Sequence, residues 1–494
     1  MTRKLGRKIN PDPSWTHKDW VLVAVLTLAG LVLRVIGLNE GMWFDEIATL
    51  VNYIRLPATQ IIGHYETLNN HLFYSLLAHF SVAWFGESVW SVRLPAVMFG
   101  VATIPAAYYL GRQITARREA LLASAFLAVS YHHVWFSQDA RGYTGLALGA
   151  VLLSIIFIRL ILRESPGFRP VLAYAIVGAL AIWIHLTAAL VVVSHGIIWL
   201  ALIAGRSPKR KSDYKRAAAL AMILAAMFSL ALYSPVLTQL AELLFVVDDA
   251  PVVLTAWNTP GWAIEEFRRA AFKAVPGGWF LILPGALAMV AGALSYSRQG
   301  ILVSGVLFLP PFVTLFFVAF LMGIIFPRFL FGSMVFFLLI AVRGGFVLTR
   351  AVLPMLTVRQ VTVIGLILAL ATVCMLPGAW KPKQDFAAAA KFINRQRVPG
   401  DAVVCSHTSH MGLHQYLGMK CEQALTIAGL NELEKTHART WLVYAFPIHF
   451  QGALPDVWMK VQNEYSPVTK IRGTVGGGDI IIMLKTRAYR ELEQ

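Results

Sequence analysis

Charge is the scarcest thing in this sequence. Of its 494 residues only 14% are Asp, Glu, Lys or Arg, while 57% are apolar, and the mean hydropathy is +0.63. Such a chain cannot clothe a water-facing surface, so an ordinary soluble domain is excluded. Acid is scarcer still, with 26 Asp and Glu against 43 Lys and Arg and a net charge of +17. A surplus of that size raises nucleic acid as a partner, but the basic residues sit in loops between apolar runs. That pattern belongs to membrane topology and argues for no nucleic-acid partner. Three cysteines are too few for a disulfide framework and lack metal-ligand spacing. Cys374 falls in the last apolar run and reads as packing, whereas Cys405 and Cys421 beyond it are expected to pair if they face an oxidising compartment. There is no tandem repeat and no low-complexity tract, and Gly476-Gly477-Gly478 lacks the spacing and the lysine of a phosphate loop.

Apolar runs are what the sequence has in abundance. The stretches 20–38, 217–237, 300–321, 329–341 and 361–376 with their flanks reach the roughly 20 residues that cross a bilayer. The leader 1–18 carries Arg3, Lys4, Arg7, Lys8 and Lys18, and no small-residue cleavage site follows the first run, so that run reads as a retained anchor. The segment 39–87 holds Glu40, Asp45, Glu46, Glu66 and Glu87 against one Arg55. Within it, 71–85 is too short to span and reads as an interfacial helix. With that helix lying flat, the inward loops and the leader hold roughly twenty Lys and Arg against roughly seven outside, as the positive-inside rule requires. The cluster at 206–211 with Lys215 and Arg216 dominates that count. The expectation is a polytopic α-helical membrane protein with about eleven transmembrane helices, the count being open by one pair around 171–204, where 182–187 interrupts two short segments. It should lie in the cytoplasmic (inner) membrane, amino end cytoplasmic.

From about residue 380 the texture changes. A helix-like 385–397, a strand-like 402–406, helix-like 409–417 and 431–437, a strand-like 441–446 and a closing pair 469–475 and 479–485 around the glycine triplet predict an α/β domain. The domain division expected is thus 1–380, with 39–87 as its first outer loop, and an extracytoplasmic 381–494. The glycines read as a hairpin turn.

Four polar islands fall at the outer ends of spans, and ionisable groups at such places are commonly functional. Asp45-Glu46 follows the first span directly behind Trp43 and Phe44, rings that suit the headgroup level. Asp45 reads as a catalytic base, with Glu46 beside it in the catalytic pair to orient it or to keep the field negative. Asn69-Asn70-His71 opens the interfacial helix; one Asn is explained by capping, two and a His are not, so Asn70 and His71 are candidates for substrate contact. His64, Glu66 and His71 are weak candidates for a divalent ion, without a recognisable ligand spacing. Between two spans lies an aromatic belt with Gln138, Asp139, Arg141 and Tyr143, of which Gln138, Asp139 and Tyr143 are further candidates for substrate contact. Arg141 suits a phosphate, and Asp139 would hold it or bind a sugar hydroxyl. Arg328, a lone outward arginine against the charge bias, is a second phosphate candidate. His185 in the brief interruption joins the substrate-contact set, although a polar plug between helices explains it as well. Arg268, Arg269 and Lys273 near Glu265 and Glu266 read as a solvated helix face.

A carboxylate, two isolated arginines and an aromatic rim suit a phosphate-headed lipid whose tail stays in the bilayer. Glycosyl transfer from such a lipid needs little more. The leaving phosphate monoester, with its second pKa of about 6, needs no strong acid, arginine charge stabilises its departure, and the carboxylate takes the acceptor hydroxyl's proton. Single displacement inverts the anomeric carbon.

At these residues the chain resembles the polyprenyl-phosphate-sugar-dependent membrane glycosyltransferases of the GT-C fold, among them protein O-mannosyltransferases and lipid A aminoarabinose transferases. The resembling pieces are Trp43-Phe44-Asp45-Glu46, Asn70-His71, Arg93-Leu94-Pro95 with Phe99-Gly100, 136–141 with Tyr143, and Pro327-Arg328-Phe329-Leu330. The resemblance implies Asp45 as the catalytic carboxylate with two juxtamembrane helices beside it. It also implies a lipid monophosphate sugar as donor, a lipid, glycan or protein as acceptor, and no required cofactor, with a divalent metal left open. Leu72 stands where Pro often follows the His, and Phe329 where Tyr is frequent. The principal rival is a lipid-linked sugar transporter or flippase, which calls for polar residues at mid-span and paired broken helices. A lipid-headgroup phosphotransferase would want metal-binding carboxylate clusters, and a structural scaffold would need none of these islands.

Overall fold

A computed structural model describes residues 9–67, 69–163, 166–205, 213–245, 259–321, 325–423 and 426–487. Arg3, Lys4, Arg7, Lys8 and the cluster at 206–211, on which the orientation expectation rests, lie outside the described residues.

The first helix, α1 (His17–Val35), starts at a capping box: the Asp19 amide donates to the Thr16 hydroxyl and the Thr16 amide to the Asp19 carboxylate. After it come α2 (Phe44–Thr49), prolonged by a π-helical turn at Leu50–Ile54, then α3 (Ala58–Gly63) and α4 (Leu72–Phe85). The 14 residues of α4 make about 21 Å of helix at 1.5 Å per residue, short of the roughly 30 Å apolar thickness of a bilayer. The bundle continues with α5 (Val89–Ile114), α6 (Arg117–Val129), α7 (Tyr131–Ser137), α8 (Tyr143–Leu162), α9 (Phe168–Ile184), α10 (Ala189–Ala204), α11 (Asp213–Tyr233) and α12 (Leu237–Phe245). It closes with α13 (Pro260–Ala274), α14 (Trp279–Ser297), α15 (Ile301–Phe316), α16 (Met334–Val352), α17 (Val358–Thr372) and the short α18 (Leu376–Ala379).

Among the described residues, eight helical stretches are long and apolar enough to cross a membrane, and α6 with α7, bent by 56°, makes nine. The about eleven expected would need two more, and the nearest are α1, whose Lys18, Asp19 and Arg34 raise its charge, and the 17-residue α9. This is a multi-pass membrane protein. The interruption at 182–187 is real: α9 ends before His185, and a 3-10 turn at Leu186–Ala188 leads into α10. Where α14 crosses α16, a Cβ on Gly292 would lie 1.9 Å from the Ile340 carbonyl oxygen and one on Gly344 1.7 Å from that of Ala288. Only glycine lets these backbones approach so closely.

The bend between α6 and α7 aims the turn after α7, which carries Asp139 and Arg141. Breaking a helix frees carbonyls that must find donors. Arg34 of α1, wholly buried, supplies them. Its Nη1 donates to the carbonyls of Gly30 (2.7 Å) and Ala128 (3.0 Å), Nη2 to Leu127 O (3.3 Å) and His133 Nδ1 (2.7 Å), and Nε to Ser137 Oγ (3.0 Å). All five N–H groups are used. Gly100 lets α5 close on this knot, since a Cβ there would lie 2.1 Å from Ser137 Oγ.

The C-terminal part is the expected α/β domain. It contains α19 (Phe386–Gln396), β1 (Ala402–Cys405), α20 (His407–His410) running into a π turn at Met411–Tyr416, β2 (Glu422–Gln423), α21 (Ile427–Thr436) and β3 (Arg439–Ala445). Then follow α22 (Pro447–Ala453), α23 (Pro455–Glu464), β4 (Ser466–Ile471) and β5 (Ile480–Thr486). The sheet order is β2-β1-β3-β5-β4, with β1 parallel to β2 and β3, and β5 antiparallel to β3 and β4. Cys405 and Cys421 are disulfide-bonded, Cα atoms 6.0 Å apart. The fourth strand ends at Ile471, short of the expected 475, and Thr474 has left the sheet, its amide donating to Pro382 O. Apolar residues of the domain, among them Phe386, Ile393 and Leu413, pack with Met42, Ile47 and Leu50 of the first loop into one cluster.

Replacing Arg34 by Leu leaves buried acceptors unmet, each worth about 1–3 kcal/mol. Arg34→Leu is therefore expected to lower the unfolding midpoint of the detergent-solubilised protein strongly, and Arg34→Lys, with three donors, to recover part of the loss. Equal midpoints for all three proteins would contradict this.

Candidate active site

The first loop is fixed by a buried ion pair. Arg93, near the start of α5, forks onto Glu46, with Nε 2.7 Å from Oε1 and Nη2 2.8 Å from Oε2. Its Nη1 donates to the carbonyls of Leu38 (2.8 Å) and Glu40 (2.9 Å), and Nη2 also to that of Gly41 (3.4 Å). Glu46 takes two further bonds, from the amides of Ala140 (2.7 Å) and Trp43 (3.3 Å). Its four acceptor sites are filled and its side chain has no exposure. Burial alone would raise the Glu46 carboxyl, but Arg93 and Lys383 outweigh it and hold it below the usual value. A saturated, sealed carboxylate takes no substrate proton, so within the expected catalytic pair the geometry leaves Glu46 the orienting part.

That neighbour is Asp45. Successive helical residues point about 100° apart, so pinning Glu46 inward turns Asp45 elsewhere. Its Oδ2 lies 3.2 Å from Arg141 Nη1 and 3.5 Å from Arg328 Nη1. Residues distant in sequence thus converge on one carboxylate. Arg141 is buried; its Nη2 donates to Asn69 Oδ1 (2.5 Å) and His71 Nε2 (2.8 Å). Arg328 lies with Cζ 4.5 Å from the Phe326 ring centroid and 5.9 Å from that of Trp43. Arg141 Nε and Arg328 Nε are buried atoms without a hydrogen-bond partner among the described residues. Two guanidiniums with donors to spare and one carboxylate between them make a seat for a second anion.

His71 holds Arg141 rather than a ligand. Its Nδ1 faces the Ile184 carbonyl at 3.0 Å, which makes Nδ1 the donor and leaves Nε2 to accept from Arg141. Burial, with the charge of Arg141, keeps this imidazole neutral, well below its usual pKa. The contact needs Gly142, where a Cβ would lie 2.5 Å from both His71 Nδ1 and Ile184 O.

Asp139 lies behind the arginine. Its Oδ1 accepts from the Trp43 indole at 2.9 Å, and its Oδ2 is buried without a partner among the described residues. Burial, then the charge of Glu46, pushes its carboxyl up to about 7. Gln138, expected to contact substrate, caps the end of α1 instead, its amide donating to the carbonyls of Arg34 and Ile36. Asn70 is likewise committed to the chain, donating to His64 O (3.1 Å) and accepting from Ser75 Oγ (3.1 Å). It is Asn69, one residue earlier, that reaches Arg141. Tyr143 and His185 pack beside His71, with ring centroids 5.7 and 4.6 Å from it, and His185 Nδ1 is engaged by the Thr187 hydroxyl at 2.8 Å. Of the metal candidates, His64 and Glu66 form a pair at 3.2 Å, while both nitrogens of His71 are taken. Among the described residues, no group of three or more His, Cys, Asp or Glu is arranged to hold a metal ion.

Arg93, Asn69 and Lys383 are the site residues that sequence reasoning missed. Arg93 stood in the Arg-Leu-Pro piece of the resemblance, and a charge in the second turn of a largely apolar helix is the signal that could have marked it.

Comparison with known proteins bears on the fold that carries these residues. Residues 70–238 match the family described as dolichyl-phosphate-mannose-protein mannosyltransferase. No curated protein matches the sequence. Among solved structures, ArnT from Cupriavidus metallidurans in the apo state is similar over 94% of this chain and 98% of its own, with TM-score 0.57 and 12% identity. The same protein bound to undecaprenyl phosphate covers 95% and 98%, with TM-score 0.54 and 12% identity. The oligosaccharyltransferase AglB from Archaeoglobus fulgidus, in complex with an inhibitory peptide and a dolichol-phosphate, is similar over 94% of this chain and 74% of its own, with TM-score 0.55 and 14% identity. The chain has the GT-C fold of these membrane glycosyltransferases.

Removing one charge of a buried pair costs on the order of 3–5 kcal/mol. Glu46→Gln is therefore expected to lower the unfolding midpoint clearly, whereas Asp45→Asn, beside the open seat, stays close to wild type. Equal midpoints for the two variants would dissolve the distinction between frame and reaction centre.

Proposed function

We propose that this protein is an inverting glycosyltransferase that moves a sugar from a polyprenyl-phosphate donor to an acceptor hydroxyl at the outer face of the cytoplasmic membrane. The observation that carries the reading is the Asp45 carboxylate between two guanidiniums whose Nε donors have no partner among the described residues. The undecaprenyl phosphate and dolichol-phosphate bound by two similar structures support a lipid phosphate as the anion that fills the seat. The clustering of basic residues in one set of loops supports the orientation, with the C-terminal domain outside.

In this reading the donor phosphate takes over Arg141 and Arg328, and Asp45 is released from them. Asp45 then accepts the proton of the acceptor hydroxyl as that oxygen attacks the anomeric carbon. The bond from that carbon to the phosphate oxygen breaks, its electron pair leaves with the phosphate, and the two arginines stabilise the charge that collects there. Attack opposite the leaving group inverts the sugar centre. Because guanidinium charge stands where a divalent ion would otherwise neutralise the phosphate, we propose that the transfer needs no metal. The sealed position of Glu46 leaves Asp45 alone as base.

The test is release of polyprenyl phosphate and appearance of glycosylated acceptor from a polyprenyl-phosphate sugar. Asp45→Asn should lose about 10²–10⁴-fold in rate while still binding donor, and Arg141→Ala and Arg328→Ala should bind it more weakly. An Asp45→Asn variant that transfers at the wild-type rate would refute the assignment. A flippase would move the donor across vesicles with its sugar bond intact. Addition of a chelator should leave the rate unchanged; a loss restored by added divalent cation would give the site a metal.

A further inference from the structure

The segment joining the membrane bundle to the α/β domain is inserted into the site's supporting frame. Its Lys383 amide donates to Gly41 O in the first loop, and its carbonyl accepts from Val475 between β4 and β5. Gln384 bridges the same two pieces, accepting from the Phe44 amide at 2.7 Å and donating to Gly478 O at 2.7 Å. Glycine on both flanks permits this: a Cβ on Gly41 would lie 2.6 Å from Gln384 O, and one on Gly473 2.1 Å from Lys383 O. The strap therefore ties the residue that opens the Asp45 helix to the hairpin of the outer sheet.

The Lys383 side chain goes further inward. It is 2% exposed, its Nζ donates to the Gln138 carbonyl, and it lies 4.7 Å from the Trp135 ring centroid. Gln138 and Asp139 lead directly to Arg141, and the Arg141 amide donates to the Asp139 carbonyl at 2.6 Å. A lysine buried to this degree is rare unless it is paired. Here its charge opposes those of Glu46 and Asp139 across the frame. We propose that Lys383 is a positioning residue for Arg141, acting through the Gln138 carbonyl and the Asp139 carboxylate, so that the outer domain forms part of the reaction centre. Its ammonium favours the ionised form of Asp139, whose Oδ1 accepts from the Trp43 indole that lies beside Arg328. This role rests on the glycosyltransferase reading only for its consequence in turnover; the electrostatic coupling stands apart from it.

The groups acting on Asp139 are Glu46 of α2, Arg93 of α5, Arg141, Arg328 and Lys383, together with Tyr74 and Tyr143. Of these, Lys383 is the cation contributed by the C-terminal part. Removing a positive neighbour favours the protonated acid, so without Lys383 the Asp139 carboxyl should hold its proton to higher pH.

The experiment is an infrared pH titration of the full-length protein in detergent, reading the carbonyl stretch of protonated buried carboxyls. Asp139→Asn identifies the Asp139 band by its loss. In Lys383→Met that band should persist to a pH higher by about one unit or more, and Lys383→Arg should return it towards wild type. The acid limb of the turnover profile should shift in parallel, and in an Asp139→Asn background Lys383→Met should add no shift. An Asp139 band that titrates alike with and without the Lys383 charge overturns the proposal whether or not the protein transfers sugar. Should Lys383→Met fail to fold, Lys383→Gln, which keeps a donor for the Gln138 carbonyl without the charge, decides it: an Asp139 band that persists to higher pH supports the proposal, and a band that titrates as in wild type overturns it.

Discussion

Much of this structure depends on the fork between Arg93 and Glu46. Two opposite charges inside a protein gain little net stability over apolar replacements, because desolvation offsets their attraction. What they supply is geometry. The five donors of Arg93 gather the carbonyls of Leu38, Glu40 and Gly41 along with Glu46, so the chain leaving the first span is held at four points. Glu46, saturated, can face nowhere else, and the adjacent Asp45 is left facing two arginines. Two neighbouring carboxylates in one short helix thereby acquire opposite fates from their surroundings alone.

The same economy recurs at the other polar knots of the bundle. Every N–H of Arg34 meets an acceptor at the break between α6 and α7, and that break directs the turn bearing Asp139 and Arg141. In a low-dielectric interior a half-satisfied polar group is costly, whereas a filled network is rigid. The exceptions then carry information. Arg141 Nε, Arg328 Nε and Asp139 Oδ2 are buried without a hydrogen-bond partner among the described residues, and both arginines reach through Nη1 to the carboxylate that the proposed chemistry uses.

The C-terminal domain is more than a module tethered to the bundle. Its apolar residues share a cluster with Met42, Ile47 and Leu50, and the strap at Lys383 and Gln384 threads between two close-approach glycines. Water is kept from the frame of the site by these contacts, which strengthens every charge interaction within it.

Much could be read along the chain. Runs of apolar residues announce spans because a bilayer demands length and lack of charge, and this placed the helices to within a few residues. Alternating short elements announced the α/β domain, and the glycine triplet its hairpin, although β4 stops early where Thr474 turns to the strap. Asp45, Arg141 and Arg328 stood out because each is a charge at the end of a span, where a charge is costly unless it is used. The fork that seals Glu46 away from substrate, the exchange of Asn70 for Asn69 at the arginine, the framework role of Gln138 and the reach of Lys383 were not readable there. Neighbours in sequence differ in which way they point, and that direction is set by partners 47, 72 and 245 positions away. Hydrophobicity and length are properties of a stretch, so the sequence alone settles which segments enter the membrane; a side chain's hydrogen-bond partners exist only once distant segments have met, so only the folded molecule assigns each polar residue to frame or to reaction centre.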